Sequence, residues 1–240
     1  MAQYINTNVS SLFAGAALNT SQLALAKAQQ QLSSGLRINS AADDPTGLGI
    51  AMGIQSLVNG TNQAVMNANN GISTAQTNDG YLAQINTNLQ RMYTISVQNG
   101  GVATTVEAGA LVAENARLNT LVNGNLQATI VIGDAGGTYA SLGVTVAAVA
   151  STATAGISTD ITTVATERQN FGADMTVLAS AVASLQTASV NLSAGYARIM
   201  NTDFASATTA MTTNNILQQA GMAVLAQANQ TPNQVLTLLR

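Results

Sequence analysis

The sequence predicts a mainly α-helical protein. We expect a long antiparallel coiled-coil or helical-bundle rod with one small β-hairpin, and N- and C-terminal helices paired as a separate inner domain. Three observations support this prediction. Apolar residues recur at helical spacing in both halves of the 240-residue chain, both chain ends are almost free of charge, and a short β-rich, glycine-rich stretch separates the halves.

The helical spacing is clearest in two long seams of apolar and small residues. In the N-terminal half, steps of four and three run through Ile54, Val58, Thr61, Val65, Ala68, Ile72 and Ala75, and resume through Leu82, Ile85, Leu89 and Met92. The C-terminal half repeats the spacing through Leu178, Val182, Leu185, Ser189, Leu192, Tyr196 and Ile199. A helix from about 160 to 200 would extend roughly 60 Å, which favours a rod over a compact domain.

The stretch between the seams predicts shorter elements. Leucines at helical spacing indicate a third helix over about 105–122. Two β-rich runs, 127–132 and 138–146, flank a glycine-rich turn, so we expect a β-hairpin near 126–147. The Ala, Ser, Thr and Gly residues of 147–160 are typical of a loop.

The two ends of the chain lack the charge that exposed helices normally carry. Lys27 is the only charged residue before Arg37, and none lies between Asp203 and Arg240. Disordered tails are the alternative, but such tails are usually charged and poor in apolar residues. We therefore expect these ends to pack against copies of the same chain, or to order on meeting them. The predicted assembly residues are Leu18, Leu25, Leu32, Ile216, Leu217, Val224, Leu225, Val235, Leu236 and Leu239.

Composition argues against several other function classes. With 7 basic and 10 acidic residues, neither a nucleic-acid partner nor membrane insertion is expected. The chain has no Cys, His or Trp, which removes thiol chemistry and the commonest metal ligand. We predict no enzyme activity and no catalytic, cofactor or metal site. No Sec-type signal and no bilayer-spanning segment is recognised.

Several long motifs resemble those of the bacterial flagellins. The resemblance covers about residues 1–100 and 160–240, with the motifs in the order of that family. These are MAQYINTN at the start, LSSGLRINSAADDPTG at 32–47, NANNGISTAQTNDG at 67–80, INTNLQRM at 85–92 and ILQQAGMAVLAQANQTPNQVLTLLR at 216–240.

The resemblance implies a domain organisation. Residues 1–45 and 205–240 would form the two parts of an inner helical domain, the filament core. Residues 46–204 would form an outer helical domain that contains the hairpin. Only about 60 residues separate the matched segments, so the variable outer domains that many flagellins carry would be missing. The chain would be a short, minimal flagellin.

The resemblance also implies function, location and partners. The chain would be a structural subunit that polymerises into the flagellar filament for swimming motility. It would be exported by the type III apparatus, with an export chaperone on its C-terminal helix, and would meet hook-associated junction and cap proteins outside the cell. A hook–filament junction protein is the alternative function. A soluble helical adaptor, or an enzyme inserted between the helical ends, would be of another class, and the central segment is too short for such an enzyme.

Three residues of the segment 33–46 predict polar contacts within or between subunits. Arg37, Asp43 and Asp44 are concentrated in a chain with few charges. Asp44 precedes Pro45, an arrangement that favours the start of a helix over a pair of catalytic carboxylates.

A second patch resembles the flagellin site that the animal Toll-like receptor recognises. Arg91 matches the LQR-x-R-E-L pattern, Ile95 is similar, and Glu114 matches a further acidic residue if a one-residue gap is allowed. Tyr93 and Thr94 replace an Arg and a Glu of that pattern. We expect weak receptor recognition.

Overall fold

The computed structural model describes residues 7–125, 129–131, 138–140 and 151–238, with side chains described for 7–125 and 151–230. This part of the chain has five helices and two strands. They are α1 (Val9–Ser34), α2 (Pro45–Gln98), α3 (Val106–Gly124), β1 (Thr129–Val131), β2 (Thr138–Ala140), α4 (Thr154–Met200) and α5 (Phe204–Leu238). The helices form two compact units. One combines the residues up to Ile54 with those from Ala194 onward, and the second comprises Gln55–Ser193.

The core of the second unit follows the predicted N-terminal seam and a heptad row of α4 that only partly overlaps the predicted C-terminal seam. Every residue of the predicted N-terminal seam is buried or half-buried, and those from Leu82 to Met92 are fully buried. From α4, four residues spaced seven apart join the same core: Ile157, Val164, Phe171 and Leu178. Hydrogen bonds from Ser189 Oγ to Asn62 Oδ1 and from Arg168 Nε to Asp79 Oδ1 show that α2 and α4 run antiparallel. The helical character was therefore predicted correctly. Of the predicted C-terminal seam only Leu178 is fully buried and the other six residues are half-buried, whereas the core residues Ile157, Val164 and Phe171 were not predicted.

Helix α3 packs on the C-terminal part of α2. Its Leu118 and Val122 enter the shared core, and the buried Asn115 Oδ1 accepts a hydrogen bond from Asn88 Nδ2 at 2.8 Å. The helix begins after Thr105, whose hydroxyl oxygen accepts the backbone N–H of Ala108. The bounds agree with the predicted third helix to within about two residues.

The predicted loop over 147–160 is wrong for its second half, because α4 already begins at Thr154. Small residues suggested a loop, but Ile157 is fully buried one heptad before Val164 and adds a turn to the seam. The helix start is also tied to the chain that follows α2. Ala103 N donates to Thr152 O at 2.9 Å, and Thr154 N donates to Gly101 O at 3.2 Å.

Strands β1 and β2 pair antiparallel, with Thr129 opposite Ala140, Ile130 opposite Tyr139 and Val131 opposite Thr138. Both lie inside the stretch predicted as a hairpin. The remaining residues of that stretch, 126–128, 132–137 and 141–147, lie outside the described residues. The complete hairpin therefore stays a prediction.

Helix α4 is the one described helix whose length and composition would allow it to cross a bilayer, with a mean hydropathy of 1.2 over its most apolar 18 residues. Length and hydropathy alone are weak evidence, because helices of water-soluble proteins pass the same test. The sequence-based expectation was that no segment approaches this composition without frequent Asn, Gln, Ser or Thr, and α4 contains such residues throughout.

In the first unit, the segment after α1 pairs with the segment after α4. Arg37 N donates to Met200 O at 2.6 Å and Thr202 N donates to Gly35 O at 2.9 Å. Beside this pairing, Ile38, Ala51 and Met200 form a small apolar core. The connection between α4 and α5 is thereby held against the connection between α1 and α2.

Candidate assembly interface

Helix α1 is fixed at its first turn by Asn8. The Asn8 side-chain oxygen accepts the backbone N–H of Ser11 at 3.1 Å, which caps the helix. The Asn8 Nδ2 donates to Ala228 O of α5 at 2.8 Å, and Ser11 Oγ donates to Asn229 Oδ1 at 2.8 Å. The start of α1 therefore lies against the C-terminal part of α5.

The pair formed by α1 and α5 is antiparallel and closely packed. Gly221 of α5 faces Leu18, since a Cβ atom added to Gly221 would lie 3.3 Å from Leu18 Cδ1. Among the residues of this pair whose side chains are described, the buried apolar ones are all alanines: Ala14, Ala28, Ala207 and Ala228. Small residues allow the helices to approach, but they bury little apolar area.

The outer surface of the same pair is unusually apolar. Phe13 is 78% exposed, and the other large apolar residues on this surface are at least half exposed. They are Val9, Leu12, Leu23, Phe204, Ile216, Leu217, Met222 and Val224. We call these residues, with Phe13, the apolar face. Exposed apolar surface of this kind marks an interaction site in most soluble proteins.

A groove of about 630 Å³ runs between the two helices at one end of the pair. Its lining is almost entirely apolar or small, with Ser10 and Ser21 as the polar side chains and no charged residue. The lining residues are Val9, Ser10, Phe13, Ala14, Ala17, Leu18, Ser21, Leu217, Ala220, Gly221, Val224 and Ala228. The groove is suited to receive apolar side chains of a partner.

Charge is nearly absent from this pair. Helix α5 has no charged residue, and α1 has only Lys27, whose Nζ lies 2.8 Å from Asp43 Oδ1. An uncharged apolar helix surface can be desolvated without leaving a buried charge unpaired. The low charge of the α1–α5 pair therefore suits a surface that a protein partner covers.

The structure divides the predicted assembly residues into two groups. Leu18, Leu25, Leu32 and Leu225 are half-buried, whereas Ile216, Leu217 and Val224 belong to the exposed apolar face. For Val235 and Leu236 the structure describes only the helical backbone, and Leu239 lies outside the described residues. The role of all ten residues in assembly stays a prediction.

Sequence reasoning missed much of the apolar face, including Val9, Leu12, Phe13, Leu23 and Met222. It selected the leucines of α1 that recur every seven residues, and these lie partly covered. The apolar residues between these leucines could have predicted the apolar face. They make α1 apolar on more than one side, and such a helix needs more than one partner.

Arg37 has a different partner from the one its sequence neighbours suggest. Its Nη2 and Nε donate to Ile199 O at 2.7 and 3.2 Å, so its guanidinium binds a carbonyl in the last turn of α4. A cation is favourable there because the last carbonyls of a helix carry partial negative charge. Arg37 thus helps to join the two connections within one chain.

Asp43 organises the segment between α1 and α2. Its Oδ2 accepts the backbone N–H groups of Asn39 and Ser40 at 3.2 and 3.1 Å, and its Oδ1 pairs with Lys27. The Lys27 hydrogen bond and then the Asn39 and Ser40 amides lower the pKa of Asp43 to about 2. Asp44 instead caps α2, accepting the N–H of Gly47 at 2.8 Å.

The receptor-like patch in the second unit is held by pairs within the chain. Arg91 forms a bidentate ion pair with Glu107, which raises the pKa of Arg91 and lowers that of Glu107. Glu114 pairs with Arg117 at 2.6 Å, and Ile95 is buried. These three predicted residues do not form one exposed cluster.

Comparison with known proteins agrees with the helical halves. The family model described as "Bacterial flagellin N-terminal helical region" matches residues 5–124, and the one described as "Bacterial flagellin C-terminal helical region" matches residues 154–239. The chain belongs to the bacterial flagellin family. The segment between the two matches contains both described strands.

This flagellin is similar to two relatives over nearly the whole length of each. It is 34% identical to "Flagellin" of Halalkalibacterium halodurans, covering 89% of this chain and 91% of the relative. It is 32% identical to "Flagellar filament 31.3 kDa core protein" of Treponema maltophilum, covering 98% and 99%. "Flagellin 1" of Proteus mirabilis is 56% identical, but only over 41% of this chain and 27% of its own length.

As a flagellin, the protein is a structural subunit of the flagellar filament, and the family implies a role in motility. The short, minimal form of the protein stays a prediction. Flagellins form a structural and not an enzymatic family. The uncharged helix pair can therefore be interpreted as a surface for polymerisation.

Proposed function

We propose that this flagellin polymerises through the apolar face and the groove of the α1–α5 pair, which neighbouring subunits cover in the filament. The supporting observation is the exposure of nine large apolar residues on helices with almost no charge. Burying one such side chain contributes about 1.5–3 kcal/mol. Several per subunit, repeated along a filament, offset the entropy lost when a subunit is immobilised.

In the same proposal, the α1–α5 pair is the inner domain and the core of the filament. Residues 1–45 and 205–240 supply it, and 46–204 form the outer helical domain with a hairpin near 126–147. Arg37, Asp43 and Asp44 hold the connecting segment in the conformation needed for assembly. The internal contacts of Arg37 and Asp43 support this role, because both link separate elements of the unit.

The test is to replace Phe13 with Gln. Phe13 is the most exposed apolar residue of the face, so the monomer loses little when its ring is removed. The filament loses the burial of that ring, and we expect the critical concentration for seeded polymerisation to rise roughly tenfold to a hundredfold. Sedimentation of filaments at a series of protein concentrations measures this.

Val106 provides the matched control. It is 94% exposed but lies at the start of α3, in the other unit. Val106→Gln should change the critical concentration much less than Phe13→Gln, while circular dichroism shows that both chains keep their helices. If the two variants polymerise equally well, the α1–α5 face is not the principal assembly surface.

Partners and location follow from the same function. We infer secretion through the type III apparatus, an export chaperone on the C-terminal helix, and contact with the hook-associated junction and cap proteins in the extracellular flagellum. We infer no enzyme activity, since the flagellins are a structural family. Receptor recognition should be weak, since Ile95 is buried and Arg91 is paired with Glu107.

The alternative, a hook–filament junction protein, shares the terminal helices. The names of the similar full-length proteins, flagellin and filament core protein, favour the filament subunit. Electron microscopy of the seeded protein distinguishes the two. Long uniform filaments support the proposed function, and short capped assemblies support the alternative.

A further inference from the structure

Asparagine followed by glycine occurs four times in the chain, and the structure treats one of these pairs differently from the others. Asn59–Gly60 and Asn70–Gly71 lie inside α2, and Asn123–Gly124 forms the last turn of α3. Asn99–Gly100 directly follows Gln98, the last residue of α2. It is therefore the one Asn-Gly pair of the chain outside a helix.

The backbone at Asn99–Gly100 forms a glycine-rich helix cap. Asn99 N donates to Ile95 O at 3.0 Å, and Gly101 N donates to Ser96 O at 2.8 Å, which is the longer of the two hydrogen bonds of a Schellman motif. Gly100 has φ 73° and Gly101 has φ 111°, conformations that glycine adopts without steric cost. Two consecutive glycines leave this turn easier to deform than the helix before it.

The reacting groups of this pair are accessible. Asn99 and Gly100 are both exposed, and among the described contacts the Asn99 side chain has no hydrogen-bond partner. The Gly100 N–H likewise donates no backbone hydrogen bond in the described part of the chain. In the helical pairs, by contrast, the glycine N–H is held by the carbonyl four residues earlier.

We propose that Asn99 is a site of spontaneous deamidation in the folded protein, with water as the co-reactant. The Gly100 backbone nitrogen loses its proton and bonds to the Asn99 side-chain carbonyl carbon, while the bond from that carbon to the amide nitrogen breaks and ammonia leaves. Water then opens the five-membered succinimide. Opening at the side-chain carbonyl yields Asp, and opening at the main-chain carbonyl yields isoaspartate.

Both products change the end of α2. Either adds a carboxylate beside the last carbonyls of the helix, where negative charge is unfavourable. Isoaspartate also routes the main chain through one extra carbon immediately before Gly100, and the carbonyl of the next residue, Gly101, accepts the Thr154 N–H. The modification therefore acts on the contact that ties the start of α4 to the end of α2.

Mass spectrometry of the whole folded chain, aged at mildly alkaline pH and then digested with trypsin, tests this inference. Cleavage after arginine places Asn99 in peptide 92–117, Asn59 and Asn70 in peptide 38–91, and Asn123 in peptide 118–168. We expect Asn99 to gain the mass of an NH₂-to-OH exchange at least about tenfold faster than the helical sites, since those must first break a helical hydrogen bond.

The denatured chain and one variant are the controls. In urea the four sites should react at similar rates, because no helix protects any of them. Asn99→Gln should abolish the fast reaction of the folded protein, since glutamine would have to close a larger ring. Equal rates at Asn99, Asn59 and Asn70 in the folded chain would overturn the inference, as would a fast reaction of peptide 92–117 in the Asn99→Gln variant.

Discussion

The two units of this flagellin use apolar residues in opposite ways. The unit of Gln55–Ser193 has one continuous core of large side chains, including Phe171, Leu82 and Leu178, and it exposes others, such as Val106 and Val190. The α1–α5 pair buries alanines and exposes its large side chains. One unit can stabilise itself, whereas the other keeps most of its apolar surface for neighbours.

Charges show the same contrast. The surface of the second unit carries ion pairs between Arg91 and Glu107, Arg117 and Glu114, and Arg168 and Asp79. Exposed pairs of this kind add little stability, but they keep a surface solvated. The α1–α5 pair has a single ion pair, Lys27 with Asp43, at its edge toward the connecting segment.

Phe171→Ala should have the largest effect on the isolated subunit. Phe171 is the largest fully buried side chain, so its loss leaves a cavity and should lower the free energy of unfolding by about 3–5 kcal/mol. Phe13→Ala removes a phenyl ring from the exposed apolar face and should change the free energy of unfolding by less than about 0.5 kcal/mol. Chemical denaturation followed by circular dichroism measures both; equal losses would contradict the contrast between the units.

Asn78→Leu should stabilise the second unit, by about 1–2 kcal/mol. Asn78 lies in the α2 seam between Ala75 and Leu82, is 0% exposed, and neither of its side-chain polar atoms has a protein partner. Replacing an unpaired buried amide with an apolar side chain of similar volume removes that desolvation cost. Thermal unfolding of the monomer measures the gain.

Asn88 is the control for Asn78, because it is also a buried asparagine of α2 but donates to Asn115. Asn88→Leu leaves the Asn115 oxygen without this donor and should destabilise the unit by about 1–3 kcal/mol. Shifts of the same sign in the two variants would show that hydrogen bonding is not what separates these residues.

The smallest expected effect is the acid sensitivity of the first unit. Because the folded-state pKa of Asp43 is lowered to about 2, its contribution is fully present above the unfolded-state pKa of about 4. It is lost as the pH falls from about 4 to about 2. The difference in melting temperature between the native chain and Asp43→Asn should therefore shrink over this range.

Lys27→Gln removes the largest cause of the lowered Asp43 pKa, so the contribution of Asp43 should be smaller and its loss should be complete at a higher pH than in the native chain. A difference between the native chain and Asp43→Asn that stays constant down to about pH 2 would show that the carboxylate charge of Asp43 does not stabilise the connecting segment.

Much of the second unit could be predicted from residue spacing. The seam from Leu82 to Met92 is buried as expected, because a repeat of three and four residues places side chains on one side of a helix. The start of α4 could not be predicted in this way. Its first residues are small and turn-like, and the helix begins at Thr154 because Ile157 reaches the core and Gly101 accepts the Thr154 N–H.

The contacts of the connecting segment also required the fold. The clustering of Arg37, Asp43 and Asp44 suggested polar contacts but not their partners. Asp43 binds Lys27 and Arg37 binds the Ile199 carbonyl, residues that are separated from them by 16 and 162 positions. Such pairings depend on how the helices return to one another, which residue spacing along one helix does not encode.

By itself, the sequence determined that the protein is helical, that its ends are uncharged and that it belongs among filament-forming flagellins, because periodicity, charge and motifs are properties of the linear chain. Only the tertiary structure decided which apolar residues of those ends are covered. Leu18 is partly covered because α5 lies against that side of α1, while Phe13 is left exposed. A helix apolar on several sides does not specify from its own sequence which side its first partner takes.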